Sequence, residues 1–314
     1  ELEVGGEMKK ISIVIPVYNS ANTLADLFFQ ISNQLSDVKH EIIYVNDNSI
    51  DNSWEEIKKI SIENKNVISL NLAKNFGQDC AIMAGLHNVS GEYVIIMDDD
   101  LQHNPSDIIR LKLVIIRNDV DVCYARFDKK QQTLIKNIGS WLNDKVANIV
   151  IRKPKDIYLS PFKIIKKDII DEIKVTNYLY PYIDGIIFSI TNSVTQIDAK
   201  HYDRFSGVSN YTLLESIKVF MKLATGFSVF PLRVASFIGA LTSIFGFILG
   251  LYFIIEYFLN SSSIEGWTSM IVIVLFLGGI ILMSLGIVGE YLGRIYLSIN
   301  KKKSYTVKRK LNCE

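Results

Sequence analysis

Short apolar, β-branched runs alternate with stretches of helical period through the first part of the chain. Ile11–Ile15 reads as a strand, followed by a helix over 22–35. Glu41–Val45 is a second strand, and the next helix starts at about 53, where Ser53 and Glu56 form an S-x-x-E capping box. Val67–Leu72 is a third strand with a helix over 77–89, and Tyr93–Met97 is a fourth. A helix follows from 105, where Pro105 suits a first turn, and Val120–Ala125 is a fifth strand. Strands alternating with helices mean βαβ units, a mostly parallel sheet and an α/β fold.

The pattern changes further on. No charge interrupts Val234–Ile255 or Trp267–Gly289. At ~1.5 Å per residue each run spans the ~30 Å hydrocarbon core of a bilayer. Two such runs back to back favour a transmembrane hairpin over buried core helices. The link NSSSIEG carries no Lys or Arg, while the tail holds Lys301, Lys302, Lys303, Lys308, Arg309 and Lys310. The positive-inside rule then puts the link outside and the tail in the cytoplasm, with the large N-terminal domain beside it. Gly246-x-x-x-Gly250 and Gly289-x-x-x-Gly293 offer weak signals for close helix approach. In YTLLESIKVFMKL, Leu213, Leu214, Ile217, Phe220 and Met221 fall largely on one helical face, with Glu215, Lys218 and Lys222 towards the other. That suits a helix in the membrane interface and, equally, one packed on the soluble domain. The expected organisation is a catalytic domain over 8–210, a juxtamembrane segment over 211–232, spans over 233–259 and 267–290, and a basic cytoplasmic tail over 291–314. Residues 1–7, ELEVGGE, lack periodicity ahead of Met8; they are expected to be foreign to the fold, and no signal peptide is read there.

Composition adds little chemistry. Hydrophobic residues make up 49% of the chain and the mean hydropathy is +0.21, high for a purely soluble protein. The formal net charge of +1 gives no basic field for nucleic acid. Cys80, Cys123 and Cys313 are scattered without a CxxC pair or zinc spacing, so they read as reduced thiols. His87, His103 and His201 are expected in packing or exposed polar roles.

Ligands of such folds bind off the carboxyl ends of the strands. Here those ends read Pro16-Val17-Tyr18-Asn19, Asn46-Asp47-Asn48-Ser49, Lys74-Asn75-Phe76-Gly77 and Asp98-Asp99-Asp100. Any one of them would serve as a turn or cap; four together point to a site. Three adjacent carboxylates repel one another, and a divalent cation offsets that. Mg²⁺ or Mn²⁺ takes hard oxygen ligands and shares them with substrate phosphates. In an extended segment Asp98 and Asp100 point to one side and Asp99 to the other. Asp98 and Asp100 are therefore assigned to the metal, with Gln102 as a further amide oxygen. Taken alone, the cluster would also suit a calcium-loop-like site or a helix cap.

PVYN, VNDNSIDNS, KNFGQ and DDDLQHNP, in this order and spacing, resemble the GT-A glycosyltransferases of family 2. With the two spans and the closing LFLGGI and GIVGEYLGRIY, residues 10–307 resemble bacterial polyprenyl-phosphate glycosyltransferases. That group includes bactoprenol glucosyltransferases and relatives of dolichol-phosphate mannose synthase. The resemblance implies a nucleotide-sugar donor, a UDP-sugar such as UDP-glucose, and inverting transfer to polyprenyl (undecaprenyl) phosphate at the inner membrane, for cell-surface glycans. It implies that Pro16, Tyr18 and Asn19 line the nucleotide pocket and that Asp47 accepts a hydrogen bond from the base. Asn48, Lys74, Asn75, Gly77, Asp98 and Asp99 complete the donor set. Arg204, Ser209 and Tyr211 match an R-x-x-G-x-S-x-Y stretch near the acceptor phosphate, with Asp98, Asp100 and Arg204 as the catalytic groups. A homo-oligomer is compatible with these signals. Ser20 stands where many relatives carry Glu, Ser160-Pro161-Phe162-Lys163 where close ones carry Gly-Asp-Phe-Arg, and NYLYPYIDG where they carry an Arg-Asn pair. These departures bear on the sugar more than on the reaction. Two rivals remain: a transferase extending a saccharide, and a catalytically silent membrane scaffold.

Overall fold

The computed structural model describes residues 10–127, 154, 156–175, 178, 181–199, 230–259, 266–299 and 303–313. The chain divides into two compact units: residues up to Thr212 together with Lys302–Glu314, and Leu213–Lys301.

The first unit is built on an eight-stranded sheet. Its elements are β1 (Ile11–Val17), α1 (Leu24–Gln34), β2 (His40–Asn46), α2 (Ser53–Glu63), β3 (Val67–Leu72), α3 (Gln78–Leu86), β4 (Tyr93–Ile96), α4 (Ser106–Arg117), β5 (Val122–Phe127), β6 (Lys163–Lys166), α5 (Lys167–Val175), α6 (Ile183–Ile190), β7 (Val194–Ala199) and β8 (Val307–Leu311). The strand order is β7-β5-β6-β4-β1-β2-β3-β8. β1 pairs in parallel with β2 and β4, β2 with β3, and β5 with β7; β6 and β8 run antiparallel to their neighbours.

The run ISIVIPV is apolar on both faces because β1 is central and covered on both. Ile11, Ile13 and Ile15 share a buried cluster with Leu27 of α1, Ile57 of α2 and Leu111 of α4. Val14 faces the other way, against α3. A Cβ on Gly85 would stand 2.4 Å from the Val14 Cγ1, so only glycine lets this helix lie so close. Residues 80–86 of α3 are all buried, which explains its lack of a polar stripe.

The second unit is a pair of contacting helices, α7 (Phe230–Leu259) and α8 (Trp267–Ile299). Leu232–Tyr252 and Phe276–Leu297 are long and apolar enough to cross a membrane. α8 continues nine residues beyond the expected end at 290. Among the described residues, Gly246, Gly250, Gly289 and Gly293 have no neighbouring atom within 4 Å of where a Cβ would be.

The segment expected as a basic tail contains a strand: residues 307–311 pair with β3 at the edge of the sheet. Two expectations are corrected. The fifth strand is shifted by two residues, to Val122–Phe127. The capping box does not form. α2 is capped at Asn52, and the Ser53 hydroxyl instead donates to Asp51 Oδ1 at 2.5 Å. The side chain of Glu56 is engaged by Lys59.

Candidate active site

The carboxyl ends of β1, β2 and β4 lie side by side because these strands are parallel neighbours. They open on a cavity of about 270 Å³ lined by Pro16, Val17, Tyr18, Asp47, Asn75, Gly77, Gln78, Asp98, Asp99 and Asp100.

The walls are wired by short polar side chains. Asp47 accepts the Phe76 amide on Oδ1 and the Gly77 amide on Oδ2, both at 2.8 Å. Burial raises the Asp47 carboxyl above its usual range, against the pull of these two amides. Its first task is thus to hold the loop after β3; a base would share a carboxylate already engaged. Gly77 adopts φ 93°, ψ 157°, a conformation closed to side chains, which explains the glycine of KNFG. Asn46 Nδ2 donates to Asn71 Oδ1 at 2.9 Å, tying β2 to β3. Asn19 donates its amide to Ser49 Oγ at 3.0 Å and accepts from the Ile50 amide at 2.8 Å. The Ser20 amide donates to Ser53 Oγ at 2.9 Å. Asn19 (φ 56°) and Asn48 (φ 55°) take the left-handed turns that asparagine tolerates.

The aspartates do not follow the alternation of an extended strand. β4 ends at Ile96, and the chain then bends through Asp99, Asp100 and Leu101, the last with φ 61°, strained for a leucine. The bend brings Asp99 to the same cavity as Asp98 and Asp100. Asp99 Oδ2 accepts the Tyr18 amide at 3.3 Å, and its carbonyl accepts the Thr23 hydroxyl at 2.7 Å. Burial raises the Asp99 carboxyl to about 6; Asp100 adds to the rise, while the Ser20 hydroxyl and Tyr18 amide oppose it. The Ser20 hydroxyl also lies 3.3 Å from the Tyr18 carbonyl, within this crowded corner. Asp98 Oδ1 accepts Gln78 Nε2 at 2.7 Å, and Asp100 Oδ1 accepts the Gln102 amide at 3.2 Å.

His103 has the packing role expected of it, and one more. Its buried ring stacks between Phe127 and Phe162, with centroids at 5.3 and 5.0 Å, and its Nδ1 accepts the Asp98 amide at 3.2 Å. Beside it lies a second polar cluster. Lys163 stands in register with Ile96 at the end of β4, and its buried Nζ pairs with Asp184. The Tyr124 hydroxyl donates to Asp184 Oδ1 at 3.0 Å, and Lys163 Nζ lies 5.1 Å from the Tyr124 ring centroid. The SPFK departure is thus interior: Ser160 and Phe162 are buried and Lys163 is neutralised within the domain.

The cavity gathers Pro16, Tyr18, Asp47, Asn75, Gly77, Asp98, Asp99 and Asp100 from the expected set, and adds Val17 and Gln78. Asn19, Asn48, Lys74 and Gln102 are not on its walls. Asn19 braces a loop, Lys74 lies over the Phe76 ring at 5.1 Å, and Gln102 contributes its backbone amide. Arg204, Ser209 and Tyr211 lie outside the described residues, as does the amphipathic stretch over 211–223. Gln78 was missed because it follows the glycine of KNFG as an ordinary first helical residue; the contact of His103 with the Asp98 amide and the pairing of Lys163 with Asp184 depend on tertiary neighbours that no local pattern names.

Among the described residues no group of three or more His, Cys, Asp or Glu is arranged to hold a metal ion by itself. The donor set nonetheless fits a hard cation shared with a diphosphate. Mg²⁺ commonly takes only one or two carboxylates plus substrate phosphates, and Asp98, Asp99 and Asp100 line one cavity together with Asp47.

A parallel sheet with acidic strand ends and a cavity across its switch point is the GT-A arrangement. Glucosyl-3-phosphoglycerate synthase from Mycobacterium tuberculosis, solved with Mn²⁺, UDP-glucose and phosphoglyceric acid, aligns with TM-score 0.52 at 15% identity, covering 70% of this chain and 78% of that one. That likeness carries the fold. The model of Glycosyl transferase family 2 matches residues 12–174. The SfII prophage-derived bactoprenol glucosyl transferase of Shigella flexneri is 27% identical over 304 residues, 96% of this chain and 98% of its own. The uncharacterised glycosyltransferase YkcC of Bacillus subtilis is 30% identical over 309 residues, 96% of this chain and 94% of its own. Together with that fold, the family model and these relatives define a glycosyltransferase. The chain belongs to glycosyl transferase family 2 and is similar to bactoprenol glucosyl transferases over almost its whole length.

Proposed function

We propose that the protein transfers a sugar from a nucleoside diphosphate donor, a UDP-sugar, to a polyprenyl phosphate at the cytoplasmic membrane face. The observation that carries this reading is the union, in one chain, of the acidic cavity at the strand ends and two membrane-length helices. Similarity to bactoprenol glucosyl transferases along both parts supports it. Connectivity supports the topology. β8 pairs in the same sheet as β1–β7, so the sheet strands that precede α7 and the strand that follows α8 lie on one side of any membrane. That requires an even number of crossings, and a two-helix hairpin provides it.

The chemistry follows from the acceptor. A phosphate monoester has its second pKa near ~6, so its oxygen is already anionic at neutral pH and needs no general base. That oxygen bonds to the anomeric carbon with inversion. The bond from that carbon to the diphosphate breaks, and the leaving nucleoside diphosphate keeps the electron pair. Mg²⁺ or Mn²⁺ bound by Asp98 and Asp100 would offset the charge growing on that leaving group. Gln78 and His103 orient Asp98 through its carboxylate and its amide. Asp47 fixes the loop bearing Asn75 and Gly77. Arg204, with Ser209 and Tyr211, is proposed to meet the acceptor phosphate through charge-assisted hydrogen bonds.

The test incubates membranes containing the protein with labelled UDP- and GDP-sugars plus polyprenyl phosphate. A lipid-extractable, acid-labile labelled product is expected with one donor. Label that appears only in saccharide, or no product with any donor, contradicts the proposal.

A further inference from the structure

β8 follows both membrane-length helices in the chain, yet it forms one edge of the sheet that carries the donor cavity. It contributes little to the core: Lys308, Arg309 and Lys310 are all exposed. Its contacts have a narrower focus. Asn71 pairs with Arg309 and, after a register shift, Leu72 with Val307. The Ala73 amide then donates to the Thr306 carbonyl at 2.9 Å. The next four residues, 74–77, form the loop that gives Asn75 and Gly77 to the cavity and two amides to Asp47.

The far side of that loop is α3, and the same C-terminal segment reaches it too. The Tyr305 hydroxyl lies 3.2 Å from His87 Nδ1, and Lys310 Nζ donates to Asn88 Oδ1 at 3.3 Å, both just past the end of α3. The strand is fastened at its end by Asn312, which takes φ 55° and donates Nδ2 to the carbonyls of Ser61 (2.6 Å), Asn64 (3.2 Å) and Val67 (2.8 Å). One segment thus holds the strand before the 74–77 loop, the helix after it, and the turn leading into that strand.

We propose that Thr306 and Asn312 are positioning residues of the donor site, so that the nucleoside diphosphate cavity is completed only by the chain that follows the two membrane-length helices. The inference rests on the donor-site reading given above. Its consequence is an ordering device. A chain that has not yet passed through α8 holds every cavity residue but not the geometry of 74–77, so donor binding waits until the C-terminal end has returned to the sheet.

The test uses the full chain in detergent, UDP with Mn²⁺ as probe, and two variants. Asn312→Asp keeps the size and the tolerance of positive φ but turns a carboxylate towards three carbonyls. Asn312→Gly keeps the turn and deletes the donor without adding charge. Both should weaken UDP binding about tenfold, the scale of a lost or misplaced hydrogen-bonding contact. The Michaelis constant for polyprenyl phosphate should stay within about twofold, since that substrate does not touch 74–77 in this reading. Unchanged UDP affinity in both variants, against clear wild-type binding, overturns the inference alone. A joint loss of both substrates and of the thermal transition in both variants overturns it too, because β8 would then be a general support. Wild-type protein that fails to bind UDP with Mn²⁺ overturns the donor-site reading and this inference with it.

Discussion

The two ends of the central strands hold acidic groups in opposite ways. At the amino end, buried Glu41 lies opposite Ser12 of β1. It accepts Lys10 Nζ at 2.5 Å, the Ser12 hydroxyl at 2.5 Å, and the Ser90 amide and hydroxyl at 2.7 and 2.8 Å. Burial pushes its carboxyl up, but Lys10, Ser12 and Ser90 together hold it below the usual range. At the carboxyl end, Asp99 has amide and hydroxyl donors but sits beside Asp100, and burial wins, taking it to about 6. The first carboxylate is neutralised by the fold. The second adds to a wall of negative charge that the fold alone leaves costly. A domain of marginal stability keeps such a cost where a ligand repays it.

The largest expected effect that sharpens this contrast is catalytic. Asp98→Asn and Asp100→Asn should each lower turnover about 100- to 1,000-fold, the scale of losing an electrostatic stabiliser. The thermal midpoint should hold or rise. Near-normal turnover in metal-buffered assays would remove the metal assignment.

At the opposite end the effect should fall on stability. Lys10→Met leaves Glu41 buried without its cation, and breaking such a pair costs about 3 kcal/mol, at the low end because Lys10 is partly solvated. Denaturant unfolding should show that loss while kcat/KM of the folded protein stays within about twofold. A fall in kcat/KM with stability intact would reverse the roles given to the two ends.

The third effect is smaller and depends on pH. A carboxyl raised to about 6 in the folded state binds its proton more tightly there than in the unfolded chain. Its contribution to stability is full below the unfolded value and is lost as pH rises through about 6. In chelator, Asp99→Asn should therefore be more stable than wild type at pH 7–8 by about 1–2 kcal/mol, with the gap closing near pH 4. Thermal scans across that range check it. A gap that widens towards low pH would contradict the raised Asp99.

The contrast also marks how far the sequence was legible. β1 to β4 and their helices stood out because buried parallel strands read as apolar runs between helical periods. The four polar strand ends named most of the cavity. The two membrane-length helices were equally plain, since an uncharged run of that length has few other meanings. β6 and β8 did not stand out. KIIK and VKRKL are short and flanked or filled by cations, and only tertiary pairing shows that Lys163 is neutralised by Asp184 and that β8 closes an edge. Charged residues are in fact how exposed edges resist further pairing, so the property that hid β8 belongs to its place in the sheet. The bend over 99–101 was equally invisible: alternation assumes an extended chain, but the strand ends at Ile96 and the chain bends, so Asp99 lines the cavity with its neighbours.

One measurement tests the central claim most directly. Calorimetric titration of UDP into the detergent-solubilised protein, with Mn²⁺ and with chelator, compares wild type with Asp98→Asn. The carboxyl end of the sheet, read as an acidic wall awaiting a cation and a diphosphate, predicts binding by wild type only when Mn²⁺ is present, and a loss of at least about tenfold in the variant. UDP binding of equal strength in chelator, unaffected by Asp98→Asn, would contradict it.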